Sequence, residues 1–384
     1  MWGMLHFLEA ASYIANDCNK TKTHLMGGGW QAKYWGFEWV TPYATLDAFR
    51  AHFLVTMALG MCMTAGLAHR PVALALLVSL AYTFLLDMNN YLNHIYLMLL
   101  VQAALCLAPA NAKWALDNWL MAIVYFYAGV AKVNEDWLRG EPLRHWLAKR
   151  GHLPLLGPLL AWEPSALAFS YAGLAFDLLI PFVLLQRRDW RLRGAGIAAS
   201  LGFHLLNKLI FGIGVFPWMV DISSAESTKK EAGAGEGRGG DSIALPLRHL
   251  LYPGDVTWTE YGHRFSWRMK LRNKACQMEM FIERHQPFNP SSILPREPLA
   301  VERYVTRRQA RKMASRPDSL QQFALYVGQL LRDRGEHVAG IYATCNCTLN
   351  YRPGDRQPLV DPTHNLLLHD AWAWPYAFVT PAAA

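Results

Sequence analysis

Six polar side chains sit inside or at the ends of long apolar runs: Asn93, His94, Lys132, Asp177, His204 and Asn207. Lys132 closes the run Trp119 to Val130, and Asn134, Glu135, Asp136, Trp137 and Arg139 follow at once. A lone ammonium at the end of a lipid-embedded helix is costly unless it snorkels, pairs or does chemistry. Desolvation disfavours the charged form of an amine, which suits a general base. An imidazole beside it can donate or accept a hydrogen bond, and an amide can orient either. His204, Asn207 and Lys208 recur at i, i+3 and i+4, one face of a helix. Each group alone has a plainer role, as a helix cap or a buried hydrogen-bond partner. Together they are many for one small bundle, and intramembrane groups of this kind usually face one another or a cavity. No Ser-His-Asp order, His/Cys metal spacing, GxGxxG or P-loop competes.

These groups must be positioned by membrane helices. The chain is 53% apolar and 17% charged, an average over two unlike halves. Apolar runs cover Phe53 to Leu67, Pro71 to Leu86, Tyr91 to Leu107, Trp119 to Val130, Ala166 to Leu185 and Gly194 to Val220. This predicts about six spans, several below the ~20 residues that cross comfortably. The N-terminal segment is a seventh candidate or a short amphipathic helix. Asn19 to Thr45, with Trp30, Tyr34, Trp35 and Trp39, reads as interfacial aromatics. The basic loops His69-Arg70 and Gln186 to Arg193 fall on one face, the cytosolic one by the positive-inside rule. The connection Asn134 to Glu163 and the tail then lie opposite, and Arg139, Arg144, Lys149 and Arg150 there would serve an acidic ligand. The expected fold is mainly α, a polytopic transmembrane helical bundle followed by a small α+β soluble domain. Its divisions are 1–221, a low-complexity linker at 222–242, and 243–384. In the tail, HRFSWRMKLRN, QMEMFI, HVAGIYATCNCTLNY and RQPLVD alternate like strands, and Thr306 to Arg334 reads as helix broken at Pro317. The net charge of +8 is scattered through loops and tail, with no ordered basic helix, so no nucleic-acid partner is expected. Six cysteines at these spacings do not indicate a disulfide framework. Asn346-Cys347-Thr348 fits the glycosylation sequon.

YFYAGVAKVNEDWLRGEPLRHW resembles the signature of the vitamin K-dependent γ-glutamyl carboxylase family, whose HTTM-type membrane part is shared with a wider group. YLNHIYL, FDLLIPFVLL and FHLLNKLIFGIGVFPW continue the resemblance. LPLRHLLYPGDVTWTEYGHRFSWRMKLRNK, RRQARKMASRPDSLQQFA and RQPLVDP follow in the family's order, from about Tyr34 to Trp374. The resemblance implies an enzyme that couples oxygenation of reduced vitamin K by O2 to carboxylation of peptidyl glutamate by CO2, with no metal. It implies that Lys132 deprotonates the hydroquinone, with Asn93 and His94 beside the quinone ring. Tyr125, His204, Asn207, Phe216, Trp267 and Met269 would surround the cofactor. It places the protein as a multi-pass integral membrane protein among lipid, in the endoplasmic reticulum of a eukaryote or the plasma membrane of a bacterium.

This chain departs from the family in four places. Ala131-Lys132 stands where animal enzymes have two adjacent lysines. Sequence around Asn111 to Asn118 is short. Ser223 to Asp241 replaces apolar sequence, and the long tail extension of the animal enzymes is largely absent. Two other readings remain open: a non-catalytic or transport-like membrane protein on the same scaffold, and a quinone epoxidase with no peptide acceptor.

Overall fold

A computed structural model describes residues 2–15, 29–107, 113–154, 156–186, 189–211, 245–286, 288–352, 354 and 356–382. The predicted linker at 222–242 and Phe216 lie outside them. Seven helices form the N-terminal bundle: α1 (Trp2–Ala15), α2 (Leu46–Thr64), α3 (His69–Leu85), α4 (Asn93–Leu107), α5 (Lys113–Lys132), α6 (Glu163–Leu185) and α7 (Trp190–Phe211). Each of the six predicted apolar runs contains a helix within its described residues. Leu46–Thr64, Glu163–Leu185 and Arg191–Phe211 are long and apolar enough to cross a membrane, while His69–Leu85, Asn93–Leu107 and Trp119–Lys132 are shorter. Fifteen residues of α4 rise only about 22 Å, against a hydrocarbon core of about 30 Å. Leu54, Val55, Leu179 and Phe182 point outwards, more than half exposed. In water that is an aggregation surface; in a bilayer it is the face that meets lipid.

Two close helix crossings depend on glycine. Gly3 of α1 lies against Gly60 of α2, where a Cβ on either would collide with the other's carbonyl. At Gly129 of α5, a Cβ would come within 2.7 Å of Leu178 Cδ2 and 3.1 Å of Leu178 N on α6. Small residues let backbones approach where lipid supplies no hydrophobic force between helices.

The tail is an antiparallel sheet covered by helices. β1 (Lys274–Gln286) and β4 (Val338–Leu349) form the long central ladder, from Lys274 opposite Leu349 to Arg284 opposite Val338. β2 (Asn289–Ile293), β3 (Glu297–Pro298) and β5 (Gln357–Pro358) complete it. α8 (Arg307–Met313) starts on a Thr306/Gln309 capping box, and α9 (Pro317–Asp333) follows it. α9 buries Leu320, Phe323, Ala324, Val327 and Leu331, a helical stripe against the sheet.

Three sequence expectations are corrected. HRFSWRMKLRN forms no strand; residues 261–273 make an irregular loop with left-handed φ at Phe265, Trp267 and Lys270. Its alternation comes from side chains buried in different places, with no partner strand. Trp30 and Tyr34 are no interfacial belt, because both are buried in the tail core, Trp30 lying 5.2 Å edge-on from Phe323; Trp35 and Trp39 are exposed. Cys276 and Cys347 form a disulfide across directly opposed positions of β1 and β4. They are 71 residues apart, so only strand register reveals the pair.

Tail and bundle are pinned together at one end. Asp136 accepts hydrogen bonds from Arg352 at 3.0 Å and Asn350 at 2.7 Å. Lys312 and Arg316 donate to the Asn89 carbonyl at 2.6 and 3.1 Å. Arg139 and Arg144 pair with local acids, Arg150 donates to Ile210 O, and Lys149 meets Tyr351. Arg139 and Arg144 are thus paired with acids, while Lys149 and Arg150 bond to neutral oxygens.

Beneath this junction Arg264 and Asp318 form a buried ion pair. Burial alone would raise the Asp318 carboxyl, but Arg264 and Arg316 hold it below the usual carboxylate range. Its stabilisation is present above the unfolded carboxylate pKa and is lost as pH falls through the depressed folded value. Asp318→Asn should destabilise the protein by roughly 3–5 kcal/mol, since it leaves Arg264 buried without an anion; thermal unfolding in detergent measures this, and wild-type stability should fall towards acid pH. Mass spectrometry without reduction should recover Cys276 and Cys347 in one cross-linked fragment.

Candidate functional site

α5 ends at Lys132 because Asn134 turns the chain, its side chain accepting from Trp137 N at 3.0 Å. The Gly129 crossing brings Lys132 directly against α6. Its ammonium donates to Asp177, next in sequence to the Leu178 that fills the crossing. It also reaches Ala128 O at 3.3 Å and lies 5.3 Å from the centre of the Trp137 ring. Trp137 is fixed by its indole N–H, which donates to Ser170 O on α6 at 3.0 Å. Lys132 and Asp177 are both buried. The lysine does not snorkel; it belongs to a desolvated ion pair between two apolar helices.

On the same α5 helix, Tyr125 meets His204 of α7, oxygen to Nε2 at 2.7 Å. Asn207 lies one turn further along α7 and is half-buried. At the start of α4, the Asn93 side chain accepts from the Tyr91 hydroxyl at 2.9 Å. That hydroxyl accepts from the Phe265 backbone N–H at 2.9 Å, which ties the tail loop to the bundle. His94 Nε2 lies 4.0 Å from the Glu9 carboxylate of α1. The loop then drives Trp267 into the bundle, 5.1 Å from Tyr96 with the rings 31° apart. Tyr91, Tyr96, Tyr125 and Trp267 share one buried cluster, with Met269 packed against it.

The structure thus brings Tyr125, His204, Trp267 and Met269 around one aromatic cluster bordered by Asn93. Lys132 takes its polar partners from α5 and α6, whereas Asn93 and His94 take theirs from residues 91 and 9. No hydrogen bond joins these three predicted residues. Phe216 lies outside the described residues. Sequence reading passed over the pairing of Asp177 with Lys132, and Glu9. The signal for the first was present: two opposite charges in separate apolar runs have few affordable arrangements other than facing each other. Glu9 gave none, because contact with His94 depends on how α1 packs.

A cavity of about 250 Å³ opens between α1–α4 and α8. Glu9, Thr56, Ser79, Thr83, Arg308 and Lys312 are among its lining, and none of the predicted site residues that the structure describes is. Among the described residues no group of three or more His, Cys, Asp or Glu is placed to hold a metal ion.

Comparison with known families agrees with this division of labour between bundle and tail. Residues 1–122 and 118–225 match the HTTM domain family. Residues 242–383 match the family described as the vitamin K-dependent gamma-carboxylase lumenal domain. No solved structure matches the chain. With both parts matched in order along one chain, this protein belongs to the vitamin K-dependent gamma-carboxylase family and carries its HTTM membrane domain.

Proposed function

We propose that this gamma-carboxylase-like membrane protein is an enzyme that couples O2-dependent oxidation of reduced vitamin K to carboxylation of peptidyl glutamate by CO2. The observation that carries this reading is the match of residues 242–383 to the vitamin K-dependent gamma-carboxylase lumenal domain family behind an HTTM bundle, and the buried Lys132–Asp177 pair at the α5–α6 crossing supplies its candidate base. A side chain cannot remove a carbon-bound γ-proton of glutamate unaided; reduced vitamin K, when bound, supplies the strong base that can. The chain's own residues fit such a ligand. Tyr91, Tyr96, Tyr125 and Trp267 offer aromatic faces in an otherwise apolar cluster. The Tyr125–His204 pair, with Asn93 and Asn207, offers polar handles.

Within this reading the Lys132–Asp177 pair handles the first proton. As an ammonium, Lys132 cannot act as a base. Transfer of its proton to Asp177 leaves a neutral amine and a neutral acid, a change that adds no net charge to a low-dielectric site. Lys132 Nζ would then be the atom placed to receive a hydroxyl proton when reduced vitamin K is bound. Asn93 and His94 would hold its ring, and Trp267 and Met269 would screen the site from water on the tail side.

The proposed placement is multi-pass, with the membrane region at 1–221, a linker at 222–242 and the soluble part at 243–384. In this placement the basic segments His69-Arg70 and Gln186 to Arg193 face the cytosol and the tail faces the opposite compartment. The Cys276–Cys347 disulfide supports an oxidising compartment for the tail, the endoplasmic reticulum lumen or the outer side of a bacterial plasma membrane. One observation favours a second reading: Lys132 is already paired with a carboxylate, as it would be in a scaffold that uses the ion pair only to hold two helices.

Purified protein with reduced vitamin K, oxygen, labelled bicarbonate and a glutamyl peptide should yield epoxide and acid-stable label together. Epoxide without label would point to an oxygenase with no peptide acceptor. Lys132→Ala should abolish both, but it also strands Asp177 in an apolar setting. The double variant Lys132→Ala/Asp177→Asn removes both charges and should keep the fold while remaining inactive. Wild-type rates in the folded double variant would overturn the assignment. His94→Ala should reduce turnover less completely. Asp177→Asn leaves the Lys132 ammonium buried without its counter-ion, so it should destabilise the fold by roughly 3–5 kcal/mol and lower turnover of the protein that stays folded, on the order of 10²–10⁴-fold if proton transfer limits the rate.

A further inference from the structure

The cavity between α1–α4 and α8 takes no part in the proton transfer just described, and its charges are sorted by depth. Arg308 and Lys312 stand at its mouth, on the tail helix α8, and Glu9 stands deeper, on α1 within the bundle. Arg308 is exposed and pairs with no acid among the described residues. Lys312 donates to two neutral oxygens, Asn89 O at 2.6 Å and Asn90 Oδ1 at 3.1 Å. Burial first, then Arg316 and Arg308, push the Lys312 ammonium down to about 7, a penalty that a nearby anion would relieve. Glu9 is the opposite case. Its carboxylate lies 4.0 Å from His94 Nε2, beyond hydrogen-bond length, and an imidazole is a counter-ion only when protonated. Hydroxyls line the walls, Thr56 of α2 and Ser79 of α3 lying 2.6 Å apart. A ligand whose cation leads and whose anion trails matches this order.

The cavity also opens beside the face that meets lipid. Leu92 lines it and is 42% exposed. Phe53 lines it from α2, and Leu54 and Val55, next in sequence, point outwards. On α3, Ser79 lines the cavity while its neighbour Val78 is exposed. At about 250 Å³ the space is smaller than the roughly 300–1,000 Å³ of ordinary small-molecule pockets. That suits a small polar headgroup whose hydrocarbon chains stay outside, against α2 and α3.

We infer that this cavity binds the headgroup of a phosphatidylethanolamine lipid, its phosphate held at the mouth by Arg308 and Lys312 and its ammonium directed inwards to Glu9. A primary ammonium has three N–H donors for the carboxylate and the wall hydroxyls. A choline headgroup has none, and a glycerol headgroup brings no positive charge to Glu9. The inference needs the bundle to lie in a membrane and is independent of the carboxylase reading.

The test is retention of short-chain lipids by the full chain in detergent, read by native mass spectrometry. Phosphatidylethanolamine, phosphatidylcholine and phosphatidylglycerol are compared, with soluble glycerophosphoethanolamine as the free headgroup. Wild type should hold the ethanolamine lipid about tenfold more tightly than either other lipid, the scale of one charge-assisted hydrogen bond. Glu9→Gln, close to isosteric, should erase the preference over phosphatidylglycerol and leave phosphatidylglycerol binding unchanged. Arg308→Gln and Lys312→Met should weaken all three lipids, with thermal unfolding showing that each variant is folded. Equal retention of the three lipids by wild type would overturn the site, and so would an unchanged preference in folded Glu9→Gln. A free headgroup that binds as tightly as the lipid would overturn the assignment to a membrane lipid.

Discussion

Removing a charge from water is tolerable only when another group replaces the water, and the bundle is arranged around one such replacement. Lys132 and Asp177 are both buried between apolar helices, each the other's counter-ion. A buried pair of this kind contributes little net stability over an apolar pair of similar volume, yet losing either partner alone is costly. It therefore fixes register: α5 and α6 can pack in only one way that keeps both charges satisfied. Gly129 makes that packing possible, because a side chain there would hold Leu178, and with it Asp177, away from α5. The Trp137–Ser170 contact, about two turns from Asp177 along α6, holds the end of the same crossing.

The same economy governs the meeting of bundle and tail. The loop 261–273 gives up regular structure so that Trp267 can enter the aromatic cluster, and its backbone N–H at Phe265 is satisfied by Tyr91. The segment at 30–34 travels the other way and places Trp30 and Tyr34 in the tail core. Each part thus completes the other's interior, with Asp136–Arg352 and the Asn89 carbonyl closing the seam. A ligand held by the aromatic cluster would be enclosed by residues from both parts, a direct route to excluding water from a reactive site.

The sequence by itself determined much of the architecture. Long apolar runs specify helices wherever backbone groups cannot bond to water, so each of the six runs holds a helix within its described residues, three of them of full crossing length. The break at Pro317 and the strands over QMEMFI and HVAGIYATCNC followed from local propensity and period. The ordered motifs, running from YLNHIYL through FHLLNKLIF into the tail, carried the family. The chemistry-bearing residue types were also legible, because a cation, amides and imidazoles stand out against apolar neighbours.

Only the tertiary structure decided what those residues touch. Lys132 reads alone as a snorkelling cation or a free base, and the α5–α6 crossing makes it an ion pair. Cys276 and Cys347 become partners through strand register. HRFSWRMKLRN alternates like a strand yet plugs a bundle, since periodicity records which side chains are buried and not what buries them. Glu9 beside His94 and the Arg308–Lys312 cavity arise where elements distant in sequence converge. Such contacts follow from the shape of the packed chain, which no local pattern encodes.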